Sequence, residues 1–116
     1  MGQRLRLAEP EERAEAREGA AMVVLLVRFK SGLSEEQLFE MAEARAPQYR
    51  ALKDLRQKYY LKFPETGEYG AVYLWESESA LKEFRDSELA RTIPTSYQIQ
   101  GAPRFEVGEV VMVLHP

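Results

Sequence analysis

The residues with the clearest potential for chemistry are a lysine and three aromatic side chains in the middle of the chain. Lys58 and Tyr60 lie two residues apart in one segment, and Tyr73 and Trp75 lie two residues apart in the next. Alternate side chains of a strand point to the same face, so each pair shares a face if the segments form a hairpin. The turn between them favours a register with Tyr60 opposite Tyr73 and Lys58 near Trp75. Such a surface would suit a planar organic ligand.

Two alternatives to this pocket remain open. The rings could be ordinary packing between the sheet and its helices, or across a dimer. A register slip of one residue would also exchange Tyr60 for Tyr59 in the patch. The same slip would exchange Lys58 for Gln57, and the turn sequence does not exclude it.

Other kinds of reactive site are poorly represented. Cysteine is absent, and the single histidine, His115, is the penultimate residue. A cysteine nucleophile, a catalytic triad and a pair of imidazole ligands are therefore ruled out. Gly67 and Gly70 are not followed by a helix and do not make a phosphate-binding loop. We expect no metal site.

The elements that would position these residues begin with a strand. Residues 22–29 are rich in leucine and valine, which predicts a strand buried on both faces. Ser34 and Gln37 form a capping box, so a helix is expected from Ser34. Pro47 is expected to kink this helix or to divide it into residues 34–46 and a shorter second piece.

The remainder of the chain predicts three further strands and one helix. These are a hairpin of strands 56–63 and 69–75 joined by a turn at 64–67, a second helix capped by Ser77 or Ser79 that fades near residues 92–94, and a last strand over 104–114 with a bulge at Gly108. The order β-α-β-β-α-β predicts a ferredoxin-like α+β domain with a four-stranded antiparallel sheet and two helices on one face.

The length and charge of the chain limit its partners. Its 116 residues, 45% of them hydrophobic, match one domain with one core. We place that domain at residues 22–116 and treat residues 1–21 as a charged extension, either a short helix or a tail. A net charge of −3 offers no basic surface for nucleic acid, and the longest apolar run, 20–27, is too short to cross a membrane. We therefore expect a cytoplasmic protein with neither nucleic acid nor membrane as a partner.

The face of the sheet that carries no helix needs a cover. The first and last predicted strands are apolar at nearly every position, whereas a solvent-exposed face would show clean alternation. A symmetric homodimer through the sheet faces is the simplest closure.

The RNA-recognition motif has the same order of elements, with its signature on the third strand. Residues 68–74 resemble that signature in their Tyr-Gly and Val positions. Ala71, however, stands at a base-stacking aromatic position, and Gly67 replaces the basic residue. These departures disfavour RNA as the ligand.

From residue 22 onward the sequence resembles the dimeric α+β barrel superfamily. Within it, the chain is similar to the YdhR-like monooxygenases, which are related to the antibiotic-biosynthesis monooxygenases. The resemblance is carried by residues 55–60, by residues 67–77 with their Trp-Glu-Ser step into the second helix, and by residues 87–94.

The resemblance implies two ferredoxin-like subunits packed through their sheets, each with a pocket between its own sheet and helices. Enzymes of this kind oxidise phenolic or quinone-forming compounds with molecular oxygen, some without metal or flavin, and the resemblance implies no cofactor here. In such enzymes the protein deprotonates a phenol, stabilises the resulting anion and excludes water. Trp75 matches the tryptophan that lines such pockets. Haem degradation is disfavoured because the haem-degrading relatives use an asparagine, which this chain lacks.

Together these features predict a cofactor-independent monooxygenase acting on a small aromatic or quinone-like compound. Lys58 and Trp75 are the expected catalytic residues, with Lys58 stabilising a substrate oxyanion. The expected substrate-binding residues are Tyr60, Tyr73, Arg85 and Tyr97. Arg85 and Tyr97 would lie at the pocket mouth, unless they are surface and loop-packing residues. The alternative function is a non-catalytic ligand-binding or structural dimer in which the same aromatics are core.

Overall fold

Four strands and four helices make up the part of the chain that the structure, a computed structural model, describes, residues 21–116. In chain order they are β1 (Val23–Ser31), α1 (Glu35–Arg50), β2 (Leu55–Phe63), β3 (Glu68–Trp75), α2 (Glu78–Arg85), α3 (Glu88–Arg91), α4 (Ile93–Ser96) and β4 (Ile99–Glu109). The strands form one antiparallel sheet in the order β2-β3-β1-β4. This is the predicted ferredoxin-like arrangement. The helix or tail expected over residues 1–21 lies, except for Ala21, outside the described residues.

α1 begins at the predicted capping box. The Ser34 hydroxyl accepts a hydrogen bond from the Gln37 backbone N–H at 3.2 Å, and the Gln37 side-chain oxygen accepts one from the Ser34 N–H at 2.9 Å. The predicted division at Pro47 is wrong, because the helix runs unbroken to Arg50. Proline removes one backbone donor in the last turn, but the Ala51 N–H still bonds to the Pro47 carbonyl at 3.2 Å and closes that turn.

The last strand starts and ends earlier than predicted. β4 covers Ile99–Glu109, so the apolar residues 111–114 lie beyond it and are exposed. Its pairing with β1 shifts between Arg28, which faces Arg104, and Lys30, which faces Gln100. The irregularity therefore lies within residues 101–103, which include a glycine with a φ of +72°, and the bulge predicted at Gly108 is wrong.

The core lies between one face of the sheet and the helices. Burial along β1 alternates, and the side chains directed toward the helices are Val23, Leu25, Val27 and Phe29. The prediction that this strand is buried on both faces is wrong for the single chain, because the opposite face carries Val24 and Leu26 only half-buried. The sheet thus has one face packed against helices and one apolar face without a helix.

Gly70 allows β3 to approach β1 closely, and its replacement tests this packing. A Cβ at Gly70 would lie 1.9 Å from the Val27 carbonyl oxygen, so the two strands would have to separate. We expect Gly70→Ala to lower the free energy of unfolding by roughly 1–3 kcal/mol or more, measured by urea denaturation. Gly108→Ala is the matched control, since nothing lies within 4 Å of a Cβ there. Equal stability of the two variants would contradict the close approach.

Candidate functional site

A cavity of about 920 Å³ lies between the sheet and α1 and opens partly to solvent. β1 contributes Leu25 and Val27 on one side, and α1 contributes Leu38 and Ala42 on the other. The amphipathic spacing of both elements explains this, because each turns its apolar residues toward the other. The cavity is large enough for a small organic ligand and has mainly apolar walls.

Five of the six predicted site residues line this cavity: Lys58, Tyr60, Tyr73, Arg85 and Tyr97. Trp75 does not. Its ring is 2% exposed, stacks on Tyr73 with centroids 6.0 Å apart and contacts Phe84 at 4.9 Å. The prediction that Trp75 forms part of the pocket wall is corrected: it lies behind Tyr73 and fixes that ring in place.

The hairpin register differs from the predicted one by two residues. Lys58 pairs with Tyr73, and Tyr60 pairs with Ala71. The hairpin closes on a short loop after Phe63, with the glycine at position 67 at φ +77° and its N–H bonded to the Phe63 carbonyl at 2.9 Å. A shift of two residues leaves every side chain on its face, so the predicted cluster still forms. The slip of one residue, which would have removed Lys58 from the cavity, does not occur.

The Lys58 amine lies among three aromatic rings. Its Nζ is 3.4 Å from the ring centroid of Tyr49 and 4.5 Å from those of Tyr60 and Tyr73. None of the salt bridges within residues 21–116 includes it. Burial, helped by the charge of Arg45, lowers the pKa of Lys58 from its ordinary 10.5 to about 7. A large share of this amine is therefore neutral at physiological pH.

The phenols around the cavity respond to burial in the opposite way. Burial raises the pKa of Tyr60, raises that of Tyr97 to about 12, and raises that of Tyr73 well above its usual value of 10.0. These hydroxyls stay protonated near neutral pH and can donate hydrogen bonds. The Tyr97 hydroxyl is buried and has no partner within residues 21–116, so it is available to a ligand. Lys58 is thus a proton acceptor beside phenolic donors.

Arg45 is the important residue that sequence reasoning missed. It is 8% exposed, and its guanidinium donates to the Leu89 carbonyl at 2.7 Å, to Ser96 Oγ at 2.8 Å and to Thr92 Oγ1 at 3.2 Å. These bonds join α1 to α3 and α4, beside the cavity. A signal existed, because Arg45 lies seven residues after Leu38, on the same apolar stripe of the helix.

The mouth of the cavity is charged. Lys62 Nζ lies 2.8 Å from Glu35 Oε1, both residues are exposed, and both line the opening. Arg50 and Arg85 line it as well. The exposed charged residues therefore make this part of the lining polar, whereas Lys58 lies among aromatic rings, of which Tyr49 and Tyr73 are buried and Tyr60 is 49% exposed.

The described part of the chain offers neither a metal-binding cluster nor a membrane-spanning helix. No three acidic or histidine side chains within residues 21–116 lie close enough to hold a metal ion. Across the same residues, no helix has the length and hydropathy needed to cross a membrane.

Comparison with known proteins gives structural relatives only. No family model matches the chain, and no curated protein matches it. The cofactor-independent oxygenase SnoaB from Streptomyces nogalater superposes with a TM-score of 0.66 and 11% identity, over 82% of this chain and 98% of its own. A protein from Caulobacter crescentus, provisionally assigned as an antibiotic biosynthesis monooxygenase, superposes with a TM-score of 0.63 and 17% identity. The match covers 86% of this chain and 99% of that protein. A dimeric ferredoxin-like protein of unknown function from Thermobifida fusca superposes with a TM-score of 0.64 and 9% identity. The match covers 79% of this chain and 93% of that protein.

These similarities establish the fold. The chain has the ferredoxin-like α+β fold, as the sequence predicted, whereas membership of the dimeric α+β barrel superfamily stays a prediction. The narrower resemblance to the YdhR-like branch stays a prediction.

Replacing Lys58 by methionine should stabilise the protein at and below neutral pH. Below pH 7 the lysine is protonated in the folded and unfolded states, so folding buries an ammonium; above 10.5 it is neutral in both. The gain from Lys58→Met should therefore be largest below pH 7 and disappear as the pH rises to 10.5. At about 1.4 kcal/mol per pKa unit, we expect a change of roughly 2–5 kcal/mol, measured by urea denaturation at several pH values. Lys82→Met, at an exposed lysine of α2, should show no such trend. A pH-independent gain for Lys58→Met would contradict the lowered pKa.

Proposed function

We propose that this chain is a cofactor-independent monooxygenase that oxidises a small aromatic or quinone-like compound in the cavity between the sheet and α1. The observation that carries the proposal is the Lys58 amine, which is held among aromatic rings with a pKa of about 7. Deprotonation of a phenol is the first requirement of such a reaction, and a base is most effective when its pKa lies near the working pH. Lys58 meets that condition, and the aromatic walls suit the ring of the substrate.

The chemistry follows from the positions of the side chains. A phenolic ligand packed against Tyr60 and Tyr73 would present its hydroxyl to Lys58 Nζ. The neutral amine takes the proton, and the ammonium that results stabilises the phenolate in a site of low dielectric. Tyr97 can donate a further hydrogen bond to the developing anion. Trp75 acts as a positioning residue, because it holds the ring of Tyr73 from behind.

The overall reaction requires no external reductant. In the oxidation of an anthrone, a ring CH₂ group becomes C=O. One atom of molecular oxygen enters the product, and the other leaves as water with the two hydrogens. The electrons come from the substrate anion, so the role of the protein is to form that anion and to exclude water. The shared fold of SnoaB, a cofactor-independent oxygenase, supports the proposal.

The proposal includes a homodimer formed through the sheet face that carries no helix. Val24, Leu26, Val72 and Leu74 are half-buried on this face and form a continuous apolar surface. A dimer would remove that surface from water, and the structural relative from Thermobifida fusca is dimeric. The cavity lies on the opposite face, so each subunit would keep a complete cavity of its own.

Oxygen uptake is the direct test of the activity. Purified protein without flavin should consume oxygen with a member of a panel of anthrones, naphthols and hydroquinones, followed with an oxygen electrode. Lys58→Met should reduce the rate by about 10²–10⁴-fold, because it removes the base and the stabilising charge together. Lys82→Met is the matched control and should retain the rate. Trp75→Phe should cause a smaller loss, through a less well-fixed Tyr73.

The same experiment discriminates between the two functions. Trp75 is the only tryptophan, so its fluorescence reports ligand binding beside the cavity. Binding of these compounds without any oxygen uptake, by folded protein, would replace the monooxygenase with the alternative of a non-catalytic binding dimer. Incorporation of one ¹⁸O atom from labelled oxygen gas into the product would support the monooxygenase.

The dimer can be tested by placing a charge on the proposed interface. Leu26→Glu should convert the dimer to a monomer in sedimentation analysis, because it buries an unpaired carboxylate at the interface. Ala44→Glu, on the exposed side of α1, is the control and should remain dimeric. A wild-type chain that sediments as a monomer at micromolar concentration would overturn the dimer.

A further inference from the structure

Lys58 differs from every other lysine of the chain in its surroundings. Lys30, Lys53 and Lys82 are exposed, and Lys62 forms an ion pair with Glu35 at the cavity mouth. Lys58 instead lines the apolar part of the cavity, where its Nζ is within 4.5 Å of three ring centroids. A desolvated lysine near another cation is the arrangement that activates an amine as a nucleophile.

Lys58 faces one cation, Arg45, and three aromatic rings. Arg45 on α1 adds a positive charge, and burial raises the pKa of Tyr60 and of Tyr73, so these two phenols stay uncharged near neutral pH. The remaining charged residues of the cavity lie at its opening: Glu35, Glu43, Arg50, Lys62 and Arg85. The amine therefore carries a free lone pair at the pH where carbonyl compounds react with amines.

We propose that Lys58 forms an imine with the carbonyl group of an aromatic aldehyde or aryl ketone bound in this cavity. The nitrogen lone pair attacks the carbonyl carbon, a C–N bond forms, and the π electrons move to oxygen. A proton moves from nitrogen to that oxygen to give a carbinolamine. The nitrogen lone pair then forms the C=N bond as the C–O bond breaks, and the departing hydroxide takes the remaining N–H proton and leaves as water, so that no oxidant or reductant is required. Protonated Tyr60 and Tyr73 beside Nζ can donate the hydrogen bond that helps the hydroxyl leave.

This inference uses the cavity of the proposed monooxygenase but not its reaction. It adds a covalent step at Lys58 and a ligand class defined by a carbonyl group rather than a phenol. The apolar cavity favours such a ligand, because an aromatic ring buries apolar surface while its carbonyl reaches the amine. Arg45 disfavours a charged iminium, so the adduct should persist as the neutral imine.

The test uses 2-hydroxy-1-naphthaldehyde as the probe on the full chain. Sodium borohydride, added after timed intervals, reduces the imine to a stable secondary amine, which peptide mass mapping then locates. At pH 7 we expect labelling at Lys58 at least tenfold faster than at Lys30, Lys53 or Lys82, with a rate that rises through a midpoint near pH 7. Lys58→Met should abolish the fast labelling, and Lys82→Met should leave it unchanged. Near-ultraviolet circular dichroism establishes that both variants are folded.

Labelling of Lys58 at the same rate as the exposed lysines would overturn the inference, as would fast labelling that survives in folded Lys58→Met. The result is separable from the proposed function. Oxygen uptake without fast trapping supports the monooxygenase and overturns the imine. Fast trapping at Lys58 without oxygen uptake from any phenol supports the imine and overturns the monooxygenase.

Discussion

The burial of a lysine amine between aromatic rings is the interaction on which the cavity depends. An ammonium gains from the faces of Tyr49, Tyr60 and Tyr73, but that gain is only about 0.5–2 kcal/mol and does not replace its hydration. Because the lost hydration outweighs this gain, burial favours the neutral amine, and the pKa of Lys58 falls to about 7. Tyr49 and Tyr73 are buried and shield the amine from water, whereas Tyr60 is 49% exposed.

A layer of buried side chains behind Tyr73 holds that ring in place. Tyr73 is stacked on Trp75 at an interplanar angle of 8°, and Phe84 of α2 packs against both rings. Trp75 and Leu81 are among the most completely buried side chains described. The tryptophan thus contributes to the site by packing alone. Its indole is buried too deeply to touch a ligand in the cavity. The sequence therefore predicted that Trp75 lies near the cavity, but it did not predict that Trp75 acts only by packing against Tyr73.

Period-two alternation explains both what the sequence predicted and what it did not. Lys58, Tyr60 and Tyr73 share a face in any register that differs by an even number of residues, so their grouping was predictable from spacing alone. The exact pairing depends on how the turn closes after Phe63, which single-residue propensities do not determine. The end of β4 was misplaced for a related reason. Residues 110–114 have strand-forming composition, yet beyond the bond from the Val110 N–H to the Met22 carbonyl at 2.8 Å no strand of the described chain pairs with them.

Buried charged groups have different partners on the two faces of the sheet. On the face without helices, Glu68 is buried between Arg28 and Arg104, with both pairs at 2.8 Å. Burial raises the pKa of Glu68, but hydrogen bonds from Arg28 and Thr66 and the charge of Arg104 outweigh it and lower the pKa overall. On the helix face the chain separates its two cations by type. Arginine cannot lose its proton, and Arg45 lies where a carbonyl and two hydroxyls accept its hydrogen bonds. Lysine can lose its proton, and Lys58 lies where the described residues offer it ring faces rather than a carboxylate. The permanent charge therefore serves the structure, and the titratable amine is left available for chemistry.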